Sequence, residues 1–300
     1  MALRLATYNV LHGMPVLGGV PTVPRDASGR PTGPPTVDDD DALRRAVAAL
    51  DADVLGMQEI DVHQPRSGMA HQVRAAADAL DAEYWKFAPA VIGTPGEHGW
   101  RPATEAHDHS ARGSGAPSTK HAHGGTEVDR MGPLYGVGLV SRRPVIEWRT
   151  RRFDAAPWSL PLLIPGDPRP RILRVPDEPR AAIAAVIEGP SGLFTVVTTH
   201  LSFVPGYNVR QLRSLRRWVA DLPRPLIVMG DFNLPGSLPR RITGFTSLFR
   251  GATYPSTGPR VQLDHVLADG LSPAQVASAS AQVHLLPVSD HAAVTVDVDL

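Results

Sequence analysis

The sequence predicts an α/β fold in which β-sheets pack face to face and helices cover their outer surfaces. Strand-like segments outnumber helical ones along the 300 residues, and the helical segments fall between groups of strands rather than after every strand. This order favours packed sheets over a regular βα barrel. No repeat of about 20 to 50 residues is visible, which argues against a solenoid or a propeller. We expect one domain over residues 1–300, because no linker separates two apolar cores.

Composition excludes several function classes. There is no cysteine, so a disulfide framework, a thiolate zinc site and a cysteine nucleophile are all excluded. Thirty Lys plus Arg balance thirty Asp plus Glu, so net charge does not favour nucleic acid as a partner. The N-terminus lacks the apolar segment of a secretory signal, and no run approaches the roughly 20 apolar residues of a membrane span. We therefore expect a cytoplasmic protein, with a monomer as the default.

The first third of the chain predicts strands alternating with helices. A half-buried strand ends at Asn9, and residues 14–37, rich in Pro and Gly, predict a long loop. A helix begins at the aspartates 38–41 and runs through Leu50, because acidic residues suit a helix N-terminus. The apolar strand "VLGMQ" leads to Glu59, a second helix covers Met69 to Leu80, and the strand "YWKFAPAVI" follows.

The rest of the chain predicts mainly strands. Residues 93–132 lose apolar periodicity and predict a flexible surface insertion rich in His, Gly and Pro. Two strands follow in "LYGVGLVSRRPVIEWRTRRF", and a Pro-rich segment covers residues 155–180. A helix over Gln211 to Ala220 carries an apolar stripe and an arginine stripe, for which a solvated face is the favoured interpretation. The remaining strands are "LIVMGDF", "VQLDHVLA", "AQVHLL" and "AAVTVDVDL".

Several of these strands end in polar residues that a core would not accommodate. They are Asn9, Glu59, His200, Asp231 with Asn233, Asp264 with His265, and Asp290 with His291. Each alone is explained by a turn, a solvated carboxylate or a structural histidine. The recurrence of one small set of residue types at strand ends throughout the chain instead predicts a single active site at the common edge of packed sheets.

The residue types indicate metal-assisted hydrolysis of a phosphate ester. Oxygen donors such as Glu59, Asp290 and the Asn9 carboxamide suit a hard cation, Mg²⁺ or Mn²⁺. Histidines can donate hydrogen bonds to developing charge, and a carboxylate or imidazole can take a proton from an attacking water. The sequence lacks the G-x-S-x-G elbow of serine hydrolases, a P-loop and a G-x-G-x-x-G dinucleotide motif.

The motifs "TYNV", "VLGMQEID", "YGVGLVSRRPV", "TTHLS", "VMGDFNLPG", "LDHVLA" and "SDHAAV" occur in the order typical of one superfamily. From end to end the chain resembles the endonuclease/exonuclease/phosphatase superfamily, the DNase I-like metal-dependent phosphoesterases. The resemblance implies a four-layered α/β sandwich and a divalent metal ion, Mg²⁺ or Mn²⁺. The superfamily acts on nucleic acids, inositol phosphates and phospholipid head groups, so the phosphate-ester substrate stays open.

The resemblance also implies a role for each matching residue. Glu59 matches the principal metal ligand, Asn9 contributes to the metal environment, and Asp290 is a metal-site or supporting acid. Asp231 and Asn233 match the pair that orients or deprotonates the nucleophilic water. The remaining matches are His200 for the scissile phosphate, His291 for the catalytic histidine, Asp264 for the acid that orients either histidine, His265 as a secondary position, and Arg142 and Tyr135 as candidate substrate contacts.

Two alternatives accompany this hypothesis. A non-catalytic member would keep the fold as a binding scaffold, since a fold alone does not fix a function. A zinc hydrolase built on the His-rich insertion would use imidazoles from a set comprising His98, His107, His109, His121 and His123. The same insertion is also interpreted as a disordered segment or as a lid that selects substrates.

Overall fold

A computed structural model describes residues 2–17, 20–21, 40–97, 99–111, 132–164 and 171–300. Two mixed β-sheets pack face to face, and helices lie against both outer faces. The predicted α/β sandwich of four layers is therefore confirmed. The apolar alternation of the strands produces this arrangement, because each sheet buries one face against the other sheet and one against helices.

The first sheet has eight strands in the order β17-β18-β1-β4-β8-β5-β6, with β7 also paired to β5. Its strands are β1 (Ala2–Asn9), β4 (Val54–Val62), β5 (Tyr84–Ile92), β6 (Arg101–Pro102), β7 (His109–Ser110), β8 (Leu134–Ser141), β17 (Ser280–His284) and β18 (Ala293–Asp299). A separate pair is formed by β2 (Val16–Leu17) and β3 (Val20–Pro21).

The second sheet has six strands in the order β15-β16-β14-β13-β12-β9. Its strands are β9 (Val145–Phe153), β12 (Arg180–Gly189), β13 (Gly192–His200), β14 (Leu226–Asp231), β15 (Thr246–Ser247) and β16 (Asp264–Asp269). A two-stranded hairpin outside both sheets joins β10 (Ser159–Ile164) to β11 (Arg171–Pro176). The helices are α1 (Asp41–Leu50), α2 (Gln72–Ala79), α3 (Tyr207–Trp218), α4 (Leu238–Thr243) and α5 (Pro273–Ser278).

Three apolar clusters hold the layers together. The central cluster lies between the sheets and includes Leu5, Ile183 and Met229. A second cluster packs α1 and α2 on the first sheet, with Leu43, Val47 and Leu50 forming the buried stripe of α1. A third packs α3 on the second sheet through Leu212 and Leu215, while the arginines at 210, 213 and 217 are exposed. The arginine stripe of α3 is thus a solvent-exposed face.

Some element boundaries differ from the sequence prediction. The second helix begins at Gln72 because Met69 has a left-handed φ of 60° and lies in the preceding turn. The third helix begins at Tyr207 and ends at Trp218, so its first turn lies before the predicted start. Residues 155–180, predicted only as a Pro-rich segment, contain the hairpin of β10 and β11.

The insertion predicted over residues 93–132 lies partly outside the described residues, at His98 and over 112–131. Its described part pairs with the first sheet through β6 and β7, on either side of a short 3-10 turn at Glu105–His107. His109 is buried there and its Nδ1 lies 3.1 Å from Nε2 of His71. These pairings attach the segment to β5. The loop predicted over residues 14–37 lies mostly outside the described residues.

Candidate active site

The polar strand ends of both sheets meet at one edge of the sandwich. In the second sheet, β13 and β14 are parallel and β16 is antiparallel, so His200 pairs with Asp231 and Asp231 pairs with Asp264 across three neighbouring strands. In the first sheet, β1 and β4 are parallel, and Asn9 pairs with Gln58 beside Glu59. The strand directions therefore bring together side chains that are far apart in sequence.

Asn9 connects the two sheets at this edge. Its buried amide Nδ2 donates to Oε1 of Glu59 at 3.0 Å and to Oδ2 of Asp231 at 3.1 Å. Its Oδ1 accepts from the backbone N-H of Leu11 at 3.1 Å, which fixes the orientation of the amide. The two carboxylates are thus held at a set separation by one side chain.

Glycine permits the sheets and strands to approach closely near the site. A Cβ at Gly56 would lie 2.5 Å from Oγ1 of Thr198 in the opposite sheet. A Cβ at Gly230, whose φ is 142°, would lie 2.0 Å from the carbonyl oxygen of Thr199 on the adjacent strand. Gly230 is therefore required for Asp231 to emerge beside His200.

Left-handed backbone conformations occur at three non-glycine residues of the site. Glu59 has a φ of 57° and lies at an irregularity in the pairing of β4 with β8. Asn233 has a φ of 49° and Ser289, one residue before Asp290, has a φ of 74°. Such conformations cost about 1–3 kcal/mol each and persist where the surroundings enforce them, which is common at functional sites.

His291 forms a charged pair with Asp264. Nδ1 of His291 lies 2.9 Å from Oδ2 of Asp264, and Nε2 lies 3.6 Å from Oδ2 of Asp231. Burial alone would lower the pKa of His291, but the carboxylates of Asp264 and Asp231 outweigh it and raise that pKa well above its ordinary value. This pairing answers the question that the sequence left open, because the partner of Asp264 is His291 and not His200.

Asp231 lies between the two histidines. Its Oδ2 is 3.6 Å from Nε2 of His200 and 3.6 Å from Nε2 of His291, while its Oδ1 accepts from the backbone N-H of Asn233 at 2.9 Å. Burial raises the pKa of Asp231, and the positive charge of His291 opposes that rise. A carboxylate whose pKa is raised toward neutrality is suited to accept a proton.

His200 has a different environment from His291. Nη1 of Arg180 lies 3.1 Å from its Nδ1 and 3.4 Å from its Nε2, and Nδ2 of Asn233 lies 3.2 Å from its Nε2. Burial, reinforced by the charges of Arg180 and His291, holds the pKa of His200 well below its ordinary value. The lowered pKa of His200 favours its neutral form, whereas the raised pKa of His291 favours its charged form.

The oxygen donors predicted as metal ligands lie on β1 and β4 and in the segment just before β18. Glu59 and Asp290 are half-buried and Asn9 is fully buried. Burial raises the pKa of Glu59, and the negative charge of Asp290 raises it further. Burial also raises the pKa of Asp290. Two poorly solvated carboxylates in one site are stabilised by a cation, so the donor set fits Mg²⁺ or Mn²⁺.

A second group of possible metal ligands overlaps this site. Asp231, Asp264 and His291 place ligand atoms within 4.8 Å of one another. However, Nδ1 of His291 already bonds Asp264, and Asp231 accepts from Asn9 and Asn233. These hydrogen bonds explain the proximity of the three side chains without an ion.

The two residues predicted to contact substrate, Tyr135 and Arg142, lie at opposite ends of β8. Tyr135 is buried near the site, with the Arg66 guanidinium 5.5 Å from its ring centroid, and burial, reinforced by the charge of Glu59, raises its pKa. Arg142 lies at the opposite end of the first sheet, where it donates to Asp51 and to the carbonyl of Leu80, each at 2.7 Å. Because β8 is antiparallel to β4, the residues after Ser141 lie beside the start of β4, so the expectation for Arg142 is wrong.

His265 has a structural role. Its ring stacks on Phe232 at 5.3 Å, and its Nε2 lies 2.8 Å from the carbonyl oxygen of Leu234. Phe232 is itself fully buried against α3, so the aromatic pair anchors the turn that carries Asn233.

Sequence reasoning missed three residues at the site. Arg180 contacts His200, Glu178 is close enough for its charge to affect Arg180, and the ring of Tyr254 lies 4.9 Å from that of His291. Arg180 and Glu178 occur in "PDEPR", within the Pro-rich segment. Arg180 also begins a strand that is buried over its first eight residues, which is an unusual place for an arginine and was the available signal.

The model of the endonuclease/exonuclease/phosphatase family matches residues 6–291, which include every strand-end residue of the site. The chain belongs to the endonuclease/exonuclease/phosphatase family. Members of the family are hydrolases of phosphate esters and generally depend on a divalent metal ion. None of the curated proteins compared with the chain matches it.

Solved structures with a similar fold include three bacterial proteins. An endonuclease/exonuclease/phosphatase from Beutenbergia cavernae DSM 12333 is 18% identical, with a TM-score of 0.57 over 100% of this chain and 72% of that chain. Sphingomyelinase C from Streptomyces griseocarneus is 15% identical, with a TM-score of 0.53 over 100% of both chains. The Bacteroides thetaiotaomicron VPI-5482 mannosyl-6-phosphatase is 14% identical, with a TM-score of 0.50 over 99% of this chain and 100% of that chain. At these identities the similarity is one of fold.

The length and apolar character of the described helices can be compared with those of a membrane-spanning helix. Within the described ranges, none of them combines the length and the apolar character needed to cross a bilayer.

Proposed function

We propose that this protein is a Mg²⁺- or Mn²⁺-dependent phosphoesterase that cleaves a phosphodiester or a phosphomonoester by in-line attack of water. The observation that carries the proposal is the convergence at one edge of a carboxylate and carboxamide set, Glu59, Asp290 and Asn9, with the Asp264–His291 pair. One part of the site would bind the metal ion and another would transfer protons. Asp231 lies next to both parts, because it contacts both Asn9 and His291.

The metal ion would be held by Glu59 and Asp290, and Asn9 would contribute to its environment by orienting the Glu59 carboxylate through its amide. When bound, a divalent ion supplies positive charge that stabilises phosphate oxygens and the leaving group. The assignment is supported by the oxygen-only donor set and by the poor solvation of both carboxylates, which raises the pKa of each. Glu59 is additionally fixed by the hydrogen bond from Asn9.

Asp231 and Asn233 would position and deprotonate the attacking water. The backbone N-H of Asn233 holds one Asp231 oxygen and the Asn9 amide holds the other, so the carboxylate has little rotational freedom. His291 is oriented by Asp264 and carries a positive charge, so it can donate a proton or a hydrogen bond to a phosphate or leaving-group oxygen. His200 would contribute a neutral hydrogen bond to the phosphate.

The test is hydrolysis of bis(p-nitrophenyl) phosphate and p-nitrophenyl phosphate with Mg²⁺, with Mn²⁺ and with chelator. We expect metal-dependent release of p-nitrophenol that is lost in Asp231→Ala and in His291→Ala. Arg142→Ala is the matched control, because Arg142 lies at the opposite end of the sheet and should not affect turnover. Full activity in both site variants would contradict the assigned roles. The two esters also separate phosphodiesterase from phosphomonoesterase action.

A second experiment, with natural esters, identifies the class of substrate. A panel of single- and double-stranded DNA, RNA, inositol phosphates and sphingomyelin tests the classes on which the superfamily acts. Binding of Mn²⁺ by calorimetry without turnover on the panel would instead support a non-catalytic scaffold. Deletion of residues 98–123 distinguishes the zinc-hydrolase alternative, which requires complete loss of activity, from a change of substrate preference.

A further inference from the structure

Trp158 and Tyr207 form an aromatic pair at the surface of the protein. Trp158 is 54% exposed and Tyr207 is half-buried, and their ring centroids lie 5.4 Å apart with the ring planes at 86°. This is an edge-to-face contact, which aromatic rings prefer to a face-to-face one. Tryptophan is mostly buried in folded proteins, so an indole that is more than half exposed in a defined contact indicates a binding role.

Buried polar side chains fix the segment that carries Trp158. Oδ2 of Asp177 accepts from the backbone N-H of Ala156 at 2.7 Å and from the Ser202 hydroxyl at 2.8 Å. Oε1 of Gln211 accepts from the backbone N-H of Ser202 at 2.8 Å. The segment before Trp158 and the segment after β13 are therefore bonded to the same buried carboxylate, which holds the exposed indole in place.

The strand register places the pair at the edge of the sandwich that holds the candidate active site. Phe153 ends β9 and pairs with Arg180 at the start of β12, and the residues that follow Phe153 carry the indole. His200 ends β13, which is antiparallel to β12, and the residues that follow His200 carry the tyrosine ring. Both segments therefore leave the second sheet at the edge where His200 pairs with Asp231.

Side-chain contacts connect the pair with the site. Asn208, next to Tyr207, donates from Nδ2 to the carbonyl oxygen of Asn233 at 2.9 Å. The ring centroid of Phe203, in the same segment, lies 5.9 Å from the guanidinium carbon of Arg180. The aromatic pair therefore continues the candidate site on the side of β12.

The two rings and their surroundings indicate a class of ligand. Tryptophan and tyrosine rings stack on nucleobases, which are planar. Ser159 and Gly206, which adjoin the two rings in the chain, are exposed, so the apolar surface fits one ring rather than a lipid bilayer. Arg210, one turn after Tyr207 on α3, is exposed and favours an anionic ligand. The zero net charge does not favour a long polyanion, so these features match a single nucleotide.

We propose that Trp158 and Tyr207 bind the nucleobase of a nucleotide whose phosphate lies in the candidate active site. The inference rests on the proposed function and deepens it, because it names the class of substrate. The strand-end residues would contact the phosphate, and the aromatic pair would contact the base.

The test measures binding of adenosine 5′-monophosphate (AMP) and of ribose 5-phosphate by calorimetry with Mg²⁺. The base distinguishes the two ligands, so the difference between their affinities isolates its contribution. Chromatography checks whether either ligand is cleaved, and the KM of a cleaved ligand replaces its Kd. We expect Trp158→Ala to bind AMP about 5- to 100-fold more weakly, as for one lost stacking contact, with the affinity for ribose 5-phosphate unchanged.

Two further variants support the comparison. Trp158→Phe keeps an aromatic ring and should retain part of the affinity for AMP. Ile146→Ala is the matched control, because Ile146 is 56% exposed and lies near the other end of β9, and it should leave both affinities unchanged. Melting curves verify folding, and if Trp158→Ala does not fold, Tyr207→Leu replaces it with the same expectation.

Each outcome bears on one of the two proposals. The role in base binding is overturned if the wild type binds AMP no more tightly than ribose 5-phosphate, or if folded Trp158→Ala keeps wild-type affinity for AMP. Binding to sphingomyelin vesicles that is lost in Trp158→Ala, with AMP affinity unchanged, would assign the pair to a lipid surface instead. Hydrolysis of p-nitrophenyl phosphate beside these results keeps the proposed phosphoesterase. AMP binding that depends on Trp158 without hydrolysis of any ester would keep this inference and remove the proposed hydrolysis.

Discussion

The side-chain amide of Asn9 spans the two sheets of the sandwich, donating to Glu59 at 3.0 Å in its own sheet and to Asp231 at 3.1 Å in the other. It therefore sets the spacing between the proposed metal-binding half and the proposed water-activating half. Because both acceptors are carboxylates, the amide also reduces their mutual repulsion.

Replacing Asn9 should damage catalysis more than stability. In Asn9→Ala both carboxylates lose a charge-assisted hydrogen bond, and we expect kcat/KM on p-nitrophenyl phosphate to fall roughly 10- to 100-fold. In Asn9→Asp a third carboxylate enters the site, so the fall should be larger although the shape is kept. Steady-state kinetics with urea unfolding as a control checks this. An unaltered kcat/KM in both variants would show that the bridge has no catalytic importance.

Removing the carboxylate of Asp264 should strongly reduce catalysis by the Asp264–His291 pair. Asp264→Asn keeps the size of the side chain but removes the charge that raises the pKa of His291. We expect kcat to fall about 100-fold or more, because a general acid that is no longer oriented and charged contributes little. His265→Gln, one residue further along β16 and outside this pair, is the matched control and should retain most of kcat. Equal kcat in the two variants would argue against the pair.

Gly230 should be far more sensitive to alanine than Gly236. A Cβ at Gly230 would lie 2.0 Å from a backbone oxygen, whereas at Gly236, with φ 58°, no atom lies within 4 Å of it. We expect Gly230→Ala to lower the free energy of unfolding by roughly 3 kcal/mol or more, and Gly236→Ala by about 1–2 kcal/mol from the left-handed backbone alone. Urea denaturation measures both values. Similar losses would mean that β13 and β14 can separate at little cost.

His71 should make the protein less stable in mild acid. Burial, with the nearby His109 and His63, lowers its pKa from 6.5 to about 3. A group with a lowered pKa stabilises the fold fully above its unfolded pKa of 6.5, and this contribution is lost as pH falls toward 3. At most about 2 kcal/mol is lost between pH 7 and 5.

The comparison of urea unfolding at pH 7 and pH 5 in wild type and in His71→Phe isolates this contribution. The phenylalanine retains a ring among Trp85, Phe87 and His109 but cannot take up a proton. The variant should therefore lose less stability than wild type over the same interval. His107→Gln, at the surface turn beside Thr104, is the control. A pH dependence in His71→Phe equal to that of wild type would contradict the linkage.

The strand ends could be predicted from the sequence because period-two alternation locates each strand and the polar residue that follows it is visible. Asn9, His200 and Asp231 follow this rule as the last residues of β1, β13 and β14, whereas Glu59 lies at the irregularity within β4 and His291 lies before β18. The structure brings all five together. The pattern does not show which way a strand runs, so Arg142, at the end of the antiparallel β8, was assigned to the wrong edge.

Two other features could not be predicted from the sequence, each for its own physical reason. Arg180 precedes the apolar run "AAIAAVI", which marks it as unusual, but its contact with His200 is visible only in the structure. The hairpin of β10 and β11 was hidden because Pro interrupts the alternation by which strands are recognised.

The pairing of β1 with β18 has a consequence for the biosynthesis of the protein. Ala2 pairs with Asp299, and Asp290 and His291 lie just before β18. β1 is therefore synthesised long before the strand with which it pairs, and Asp290 and His291 stay apart from Asn9 until that strand has been made. The candidate site is therefore completed only when β18 docks beside β1.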